Sequence, residues 1–179
     1  MAGRTYVALV RGINLGARNK VAMAALRELV EGLGAEDVAT YVQSGNVVFR
    51  SRDAAAAVTK AIERELGRRL GLDVKVLVRT KAELRKIVSG NPFGDVADAT
   101  KLHVTFLAAT PDRGRVRKLD PARSEPDEFR VLAREVYLHC PNGYGRSKLS
   151  NAYFEQQLGV PATTRNWKTV TKLAELAGA

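Results

Sequence analysis

Cysteine is nearly missing from this chain: Cys140 is the single thiol in 179 residues. One thiol excludes an internal disulfide and fits a reducing compartment, with the cytoplasm as the default. Aromatic residues make up only 6% and there are two histidines, His103 and His139. No apolar run approaches the ~20 residues that span a bilayer. Met-Ala-Gly-Arg-Thr leads straight into an apolar stretch, so neither a membrane segment nor a signal peptide is expected. The P-loop pattern Gly-x-x-x-x-Gly-Lys-Ser/Thr is absent. So is the nucleophile elbow Gly-x-Ser-x-Gly. Asp53, Asp73 and Asp120 read as caps or turns rather than paired catalytic carboxylates. No metal or cofactor site is read from these residues, and no base or nucleophile is identifiable.

What the chain does have is positive charge, +10 overall with a pI near 10.0. Residues 1–90 hold 16 of the 29 Lys/Arg and 9 of the 19 Asp/Glu, so the excess is +7 there and +3 in the remainder. Such a balance attracts polyanions and phosphorylated ligands. Because the charges are interspersed rather than gathered in a tail, plain solubility explains them equally well. Hydrophobic content of 45% marks a globular chain.

The order of elements is legible from periodicity. Thr5 to Val10 reads as a buried strand. Met23, Leu26, Leu29, Val30 and Leu33 recur at helical spacing, with Gly34 as a left-handed C-cap. Asp37–Val42 and Asn46–Arg50 read as a hairpin turning at Ser44-Gly45. Ser51 or Asp53 is expected to cap a helix with the stripe Val58, Ile62, Leu66 and Leu70, ended by Gly71. A fourth strand alternates through Val74, Val76 and Val78. Thr80 and Glu83 form a capping box before a helix to about Ser89. Gly90-Asn91-Pro92-Phe93-Gly94 then breaks the chain. The order repeats: a strand over 101–108, a helix opened by Thr110-Pro111, a hairpin of Glu128–Ala133 and Glu135–His139, a helix capped by Ser147 and ended near Gly159, a strand over 162–165, and a helix from Trp167 to Leu176.

The fold class is therefore α/β: two duplicated ferredoxin-like β-α-β-β-α-β units with antiparallel sheets, spatial order 4-1-3-2, plus a linker helix and a C-terminal helix. The expected domains are 1–80, a linker over 81–98, and 99–179. A monomer is expected.

That topology brings the loop after the first strand beside the turn between the second and third. Arg11, Asn14, Asn19 and Lys20 then share one rim with Gln43, Ser44 and Asn46. The N-terminus of the first helix adds N–H donors and positive dipole. Donors and cations without a carboxylate suit an anion. The second unit carries a similar cluster at its opposite end: Arg146, Lys148, Arg165, Asn166 and Trp167. The competing reading is that loops at helix starts are polar for capping alone, that Asn14 and Asn46 form turns, and that Trp167 anchors a core. His103 and His139, by strand parity, are expected to be cross-strand neighbours with Tyr137 on the same face. With no third ligand, they read as polar residues of a sheet surface. Cys140 points the other way.

An anionic small ligand, such as a nucleotide, is the first functional expectation. Nucleic-acid binding through the basic surface is the second, although Phe49 is the only aromatic offered by its strand for base stacking, and the Lys/Arg-Gly-aromatic-Gly-aromatic motif is missing. A phosphate-handling transferase or hydrolase ranks third.

Tyr6-Val-Ala-Leu-Val-Arg-Gly-Ile-Asn-Leu-Gly, Asn19-Lys20, Tyr41-Val-Gln-Ser-Gly-Asn-Val-Val-Phe and Ala162-Thr-Thr-Arg-Asn-Trp-Lys-Thr-Val form a specific set of motifs. On these the chain, over nearly its whole length, closely resembles the bacterial domain-of-unknown-function family 1697. Lys168 departs from the asparagine more often expected there. The resemblance implies a duplicated ferredoxin-like protein of unassigned biochemical role and supplies no catalytic residues.

Overall fold

Among the described residues, alternating and continuous apolar segments form eight strands, and each group of four closes one antiparallel sheet. The structure is a computed structural model and describes residues 3–179. The first sheet joins β1 (Arg4–Val10), β2 (Glu36–Tyr41), β3 (Asn46–Ser51) and β4 (Val76–Thr80) in the order β2-β3-β1-β4. The second joins β5 (Leu102–Leu107), β6 (Glu128–Leu132), β7 (Glu135–His139) and β8 (Ala162–Asn166) in the order β6-β7-β5-β8. Six helices intervene: α1 (Met23–Glu31), α2 (Ala55–Leu70), α3 (Lys81–Ser89), α4 (Arg113–Arg117), α5 (Asn151–Leu158) and α6 (Trp167–Leu176). Both copies are ferredoxin-like, as the element order implied. The chain divides into one compact unit of residues 1–86 with 173–179, and another of residues 87–172.

In the first unit α1 and α2 cover one face of the sheet. Tyr6, Ala8, Val10, Val47, Phe49, Val76 and Val78 meet Leu26, Leu29, Val30, Val58, Ile62 and Leu66 in one apolar cluster. Each such side chain contributes about 1.5–3 kcal/mol on leaving water. The opposite face, with Val7, Leu9, Val48, Leu77 and Arg79, is buried as well.

The strand registers reveal residue equivalences that the sequence alone hides. Val7 pairs with Arg79 across β1 and β4, and Val104 pairs with Arg165 across β5 and β8. Each arginine is buried and turns Nη1 back to donate to the preceding carbonyl, Val78 O at 3.1 Å and Thr164 O at 2.9 Å. The next residue caps a helix in both copies. Thr80 and Glu83 form the reciprocal capping box of α3. Asn166 Oδ1 accepts from Thr169 N at the start of α6. The linker helix and the C-terminal helix are thus the same element of each repeat, which reads β-α-β-β-α-β-α.

Several local expectations are corrected. Helix α1 stops at Gly32, and Gly34 adopts φ +80° two residues beyond the cap. Neither Ser51 nor Asp53 caps α2. Ala54 stands at its N-cap without a side-chain bond, and Ser51 Oγ instead accepts from Asp53 N. Leu70 ends the α2 stripe at 38% exposure. Strand β4 begins at Val76, not Val74. Helix α4 opens on Asp112, whose carboxylate accepts from Arg115 N, rather than on Thr110-Pro111. Helix α5 opens on Ser150, whose hydroxyl accepts from Tyr153 N. Ser147 belongs to the preceding loop and accepts from Leu149 N.

The histidines are not neighbours. Leu102 pairs with His139, and His103 pairs with Leu138, so the two rings lie on opposite faces of the sheet. Residues directly opposite in register share a face, and a one-residue slip exchanges the faces. His103 lies on the helix-covered side, stacked on Tyr144 at 4.7 Å. His139 lies near Phe93, with 5.9 Å between ring centroids.

Candidate functional site

Strand β1 ends where the β2–β3 turn begins to close. Val10 N donates to Gly45 O, and Arg11 N donates to Lys75 O. The rim predicted from topology is therefore formed: the β1–α1 loop, the β2–β3 turn and the start of β4 meet at one end of the first sheet. Residues 14–19 fold into a small hairpin. Asn14 N donates to Asn19 O, and Leu15 bridges Arg18. Asn14 and Asn19 hold φ of 55° and 50°, a region that asparagine tolerates better than most residues.

Asn14 anchors this hairpin. Its Nδ2 donates to Val21 O at 2.9 Å and to Gln43 O at 2.7 Å, while its Oδ1 accepts from Val21 N. Asn19 Nδ2 donates to Gly12 O. Asn46 is fully buried and donates to Tyr41 O and Ser44 Oγ. The amide side chains of the three asparagines are thus engaged with the loop and turn framework. Gly45 sits at φ +79°, and an added Cβ would come within 2.6 Å of Ile13 Cδ1. The turn is packed against the loop too tightly for a side chain there.

The remaining rim groups are cationic. Arg11 is half-buried; Arg18 and Lys20 are exposed. Residues 10–22 and 41–50 contain no Asp or Glu. Helix α1 starts from Ala22 with no side-chain cap and no acid in its first turn, so its leading N–H groups lack a side-chain acceptor. Leu15 at 69% and Val42 at 48% are exposed apolar tips, and Val42 holds φ +50°, unusual for a β-branched residue.

The second cluster is only partly assembled as expected. The loop after β7 and the end of β8 do share one end of their sheet, since His139 and Asn166 lie opposite Leu102 and His103. Arg165, however, is 8% exposed and donates to Thr163 Oγ1 and Thr164 O. Burial pulls its guanidinium down to about 10. Asn166 is the cap of α6, and Trp167 is its half-buried first residue. Arg146 and Lys148 are exposed on the β7–α5 loop.

Sequence reasoning did not anticipate the polar network under that loop. Tyr144 Oη donates to Thr164 Oγ1, which donates to Asn151 Oδ1 at 2.6 Å and lies 2.7 Å from Thr105 Oγ1. Burial lowers the affinity of His103 for a proton and raises that of the Cys140 thiol to about 11. A thiol so raised is a poor nucleophile. Among the described residues no group of three or more His, Cys, Asp or Glu is placed to hold a metal ion. No described helix is long and apolar enough to cross a membrane.

No curated protein matches the chain. Among solved structures, the conserved bacterial protein SP0830 from Streptococcus pneumoniae is similar in fold, with 25% sequence identity and a TM-score of 0.76. The likeness covers 97% of this chain and 98% of that one. The model of a family described as "Protein of unknown function (DUF1697)" matches residues 4–137, well over half of the chain, and the chain belongs to that family.

Proposed function

We propose that the protein binds a phosphorylated or otherwise anionic small ligand at the rim of its first unit. One observation carries the reading. A helix without a side-chain cap follows directly on a loop bearing Arg11, Arg18 and Lys20, and neither that loop nor the adjoining turn contains an acid. Uncapped N–H groups and cations both favour negative charge. Arg11, Arg18 and Lys20 supply the neutralising charge. Asn14, Asn19, Gln43, Ser44 and Asn46 hold the frame that presents it. The single cysteine fits a cytoplasmic setting for this role.

The basic excess of +7 within residues 1–90 favours a second reading, in which the same cations meet the extended phosphates of a nucleic acid. The two readings differ in their response to salt, because each neutralised phosphate of a polyanion releases counterions. Titration of the protein with ATP and with a short single-stranded RNA at several salt concentrations tests both. Saturable ATP binding with shallow salt dependence supports the first reading. RNA binding that falls steeply with salt, without ATP binding, supports the second. The double variant Arg18→Ala/Lys20→Ala is expected to lose affinity while keeping its melting temperature. Undiminished binding by that variant removes the rim from consideration.

A further inference from the structure

The second unit contains a cleft of about 140 Å³ between the segment before β6 and the loop after β7, lined by Ser124, Glu125, Pro126, Asp127, Asn142, Gly143 and Arg146. It belongs to the second unit and shares no residue with the rim of the first.

Its chemistry is unusual for a surface depression. Asp127 is 7% exposed, yet lines the cleft. One of its carboxylate oxygens, Oδ2, accepts from Ser124 Oγ at 2.7 Å. Ser124 Oγ in turn accepts from Lys148 N at 2.9 Å, and Asp127 N donates to Ser124 O. These bonds fix the carboxylate in place and leave Oδ1 without a protein donor. Arg146 lines the same cleft and makes no ion pair with Asp127 or with Glu125. Asp127 is tied down through Ser124, and Arg146 sits in a short 3₁₀ turn, with Arg146 N donating to Gly143 O. Gly143, at φ +89°, has nothing within 4 Å of the position a Cβ would take, so a ligand can approach the backbone. Asn142 adds an exposed amide able to donate or accept.

We propose that this cleft binds a small zwitterion, with a primary ammonium group held by Asp127 and a carboxylate or phosphate held by Arg146 and Asn142. Each end of such a molecule gains a charge-assisted hydrogen bond that the protein does not make internally. The volume lies below the ~300–1,000 Å³ of sites for drug-sized ligands. It suits a molecule of a few heavy atoms, with the size and charge separation of a simple amino acid or an amino-alkyl phosphate.

The test follows backbone amide shifts of the full chain during titration with glycine, O-phosphoethanolamine, acetate and ethylamine. Saturable shifts at Asn142, Gly143 and Arg146 with glycine or O-phosphoethanolamine, and much weaker ones with the two singly charged probes, are the expected result. Glycine alone responding identifies a carboxylate ligand; O-phosphoethanolamine alone identifies a phosphate. Arg146→Gln, an exposed change that leaves the Ser124–Asp127 bond intact, is expected to weaken binding by about tenfold or more. Asp127→Asn keeps an acceptor for Ser124 and is expected to do the same. Absence of saturable shifts with any probe overturns the proposal. So do equal responses to acetate or ethylamine, or unchanged affinity in a folded Arg146→Gln protein.

Discussion

Asn14 and Gln43 stand 29 positions apart, and a 2.7 Å hydrogen bond from Asn14 Nδ2 to the Gln43 carbonyl ties the β1–α1 loop to the β2–β3 turn. The same amide closes on both the N–H and the C=O of Val21. One side chain therefore fixes where the loop leaves the sheet and where α1 begins. Asn14→Ala leaves two carbonyls and one N–H without their partners. Its expected cost is roughly 1–3 kcal/mol. Urea unfolding measures the loss, and faster amide exchange at Val21 locates it. Unchanged exchange at Val21 would show that water replaces the amide without penalty.

Gly45 offers a purely steric prediction. Its φ of +79° disfavours any L side chain, and a Cβ would also lie 3.0 Å from Val10 Cβ. Gly45→Ala is expected to destabilise the first unit by about 1–3 kcal/mol. Gly16→Ala provides the control, because nothing lies within 4 Å of its Cβ position and it carries the φ strain alone. A larger loss of melting temperature in Gly45→Ala than in Gly16→Ala separates contact from strain.

Glu65 gives a prediction in acid. Hydrogen bonding to Arg68, followed by Arg69 and the charges of both, holds its carboxyl near 2 against burial, which acts the other way. A folded value below the unfolded 4.5 stabilises the protein above about pH 4.5. That contribution fades as pH falls from there through 2. Glu65→Gln is therefore expected to unfold at lower urea than the parent at neutral pH, with the gap narrowing in strong acid. A gap independent of pH would assign the effect to packing.

His103 works with a related sign at higher pH. Its Nδ1 is sealed from solvent without a hydrogen-bond partner, and burial lowers its proton affinity below the usual 6.5, partly offset by a backbone contact with Lys101. The unfolded chain takes up this proton more readily. Stability is then greatest above pH 6.5 and declines as the solution is acidified from that point. His103→Phe, which keeps an aromatic ring for Tyr144 to stack on, is expected to flatten that decline. Calorimetric melting between pH 7.5 and 5 measures it, and an undiminished slope in the variant would point to a different titrating group.

The sheets were legible because strand alternation and helical spacing are strong local signals, and because two rounds of the same order admit few topologies. The rim was legible for the same reason. Strand parity across β5 and β7 was not. Pairing of Leu102 with His139 joins two strands that no short turn connects, so long-range packing sets it, and a shift of one residue reverses every face. The asparagines were half legible: Asn14 and Asn46 hold the loop and turn, as the competing reading had it, whereas the specific partners of their amides and the capping of α6 by Asn166 depend on the folded geometry. The cleft around Asp127 lies at the open end of the β6–β7 hairpin, where Glu128 pairs with His139, but the Ser124–Asp127 bond and the turn at Gly143 that shape it leave no periodic signal in the sequence.

The connections that differ between the repeats carry a consequence of their own. Twelve residues separate β1 from α1, whereas five separate β5 from α4. The second copy makes the same strand-to-helix step in five residues, so the seven extra residues of the first copy exceed what closing that step requires.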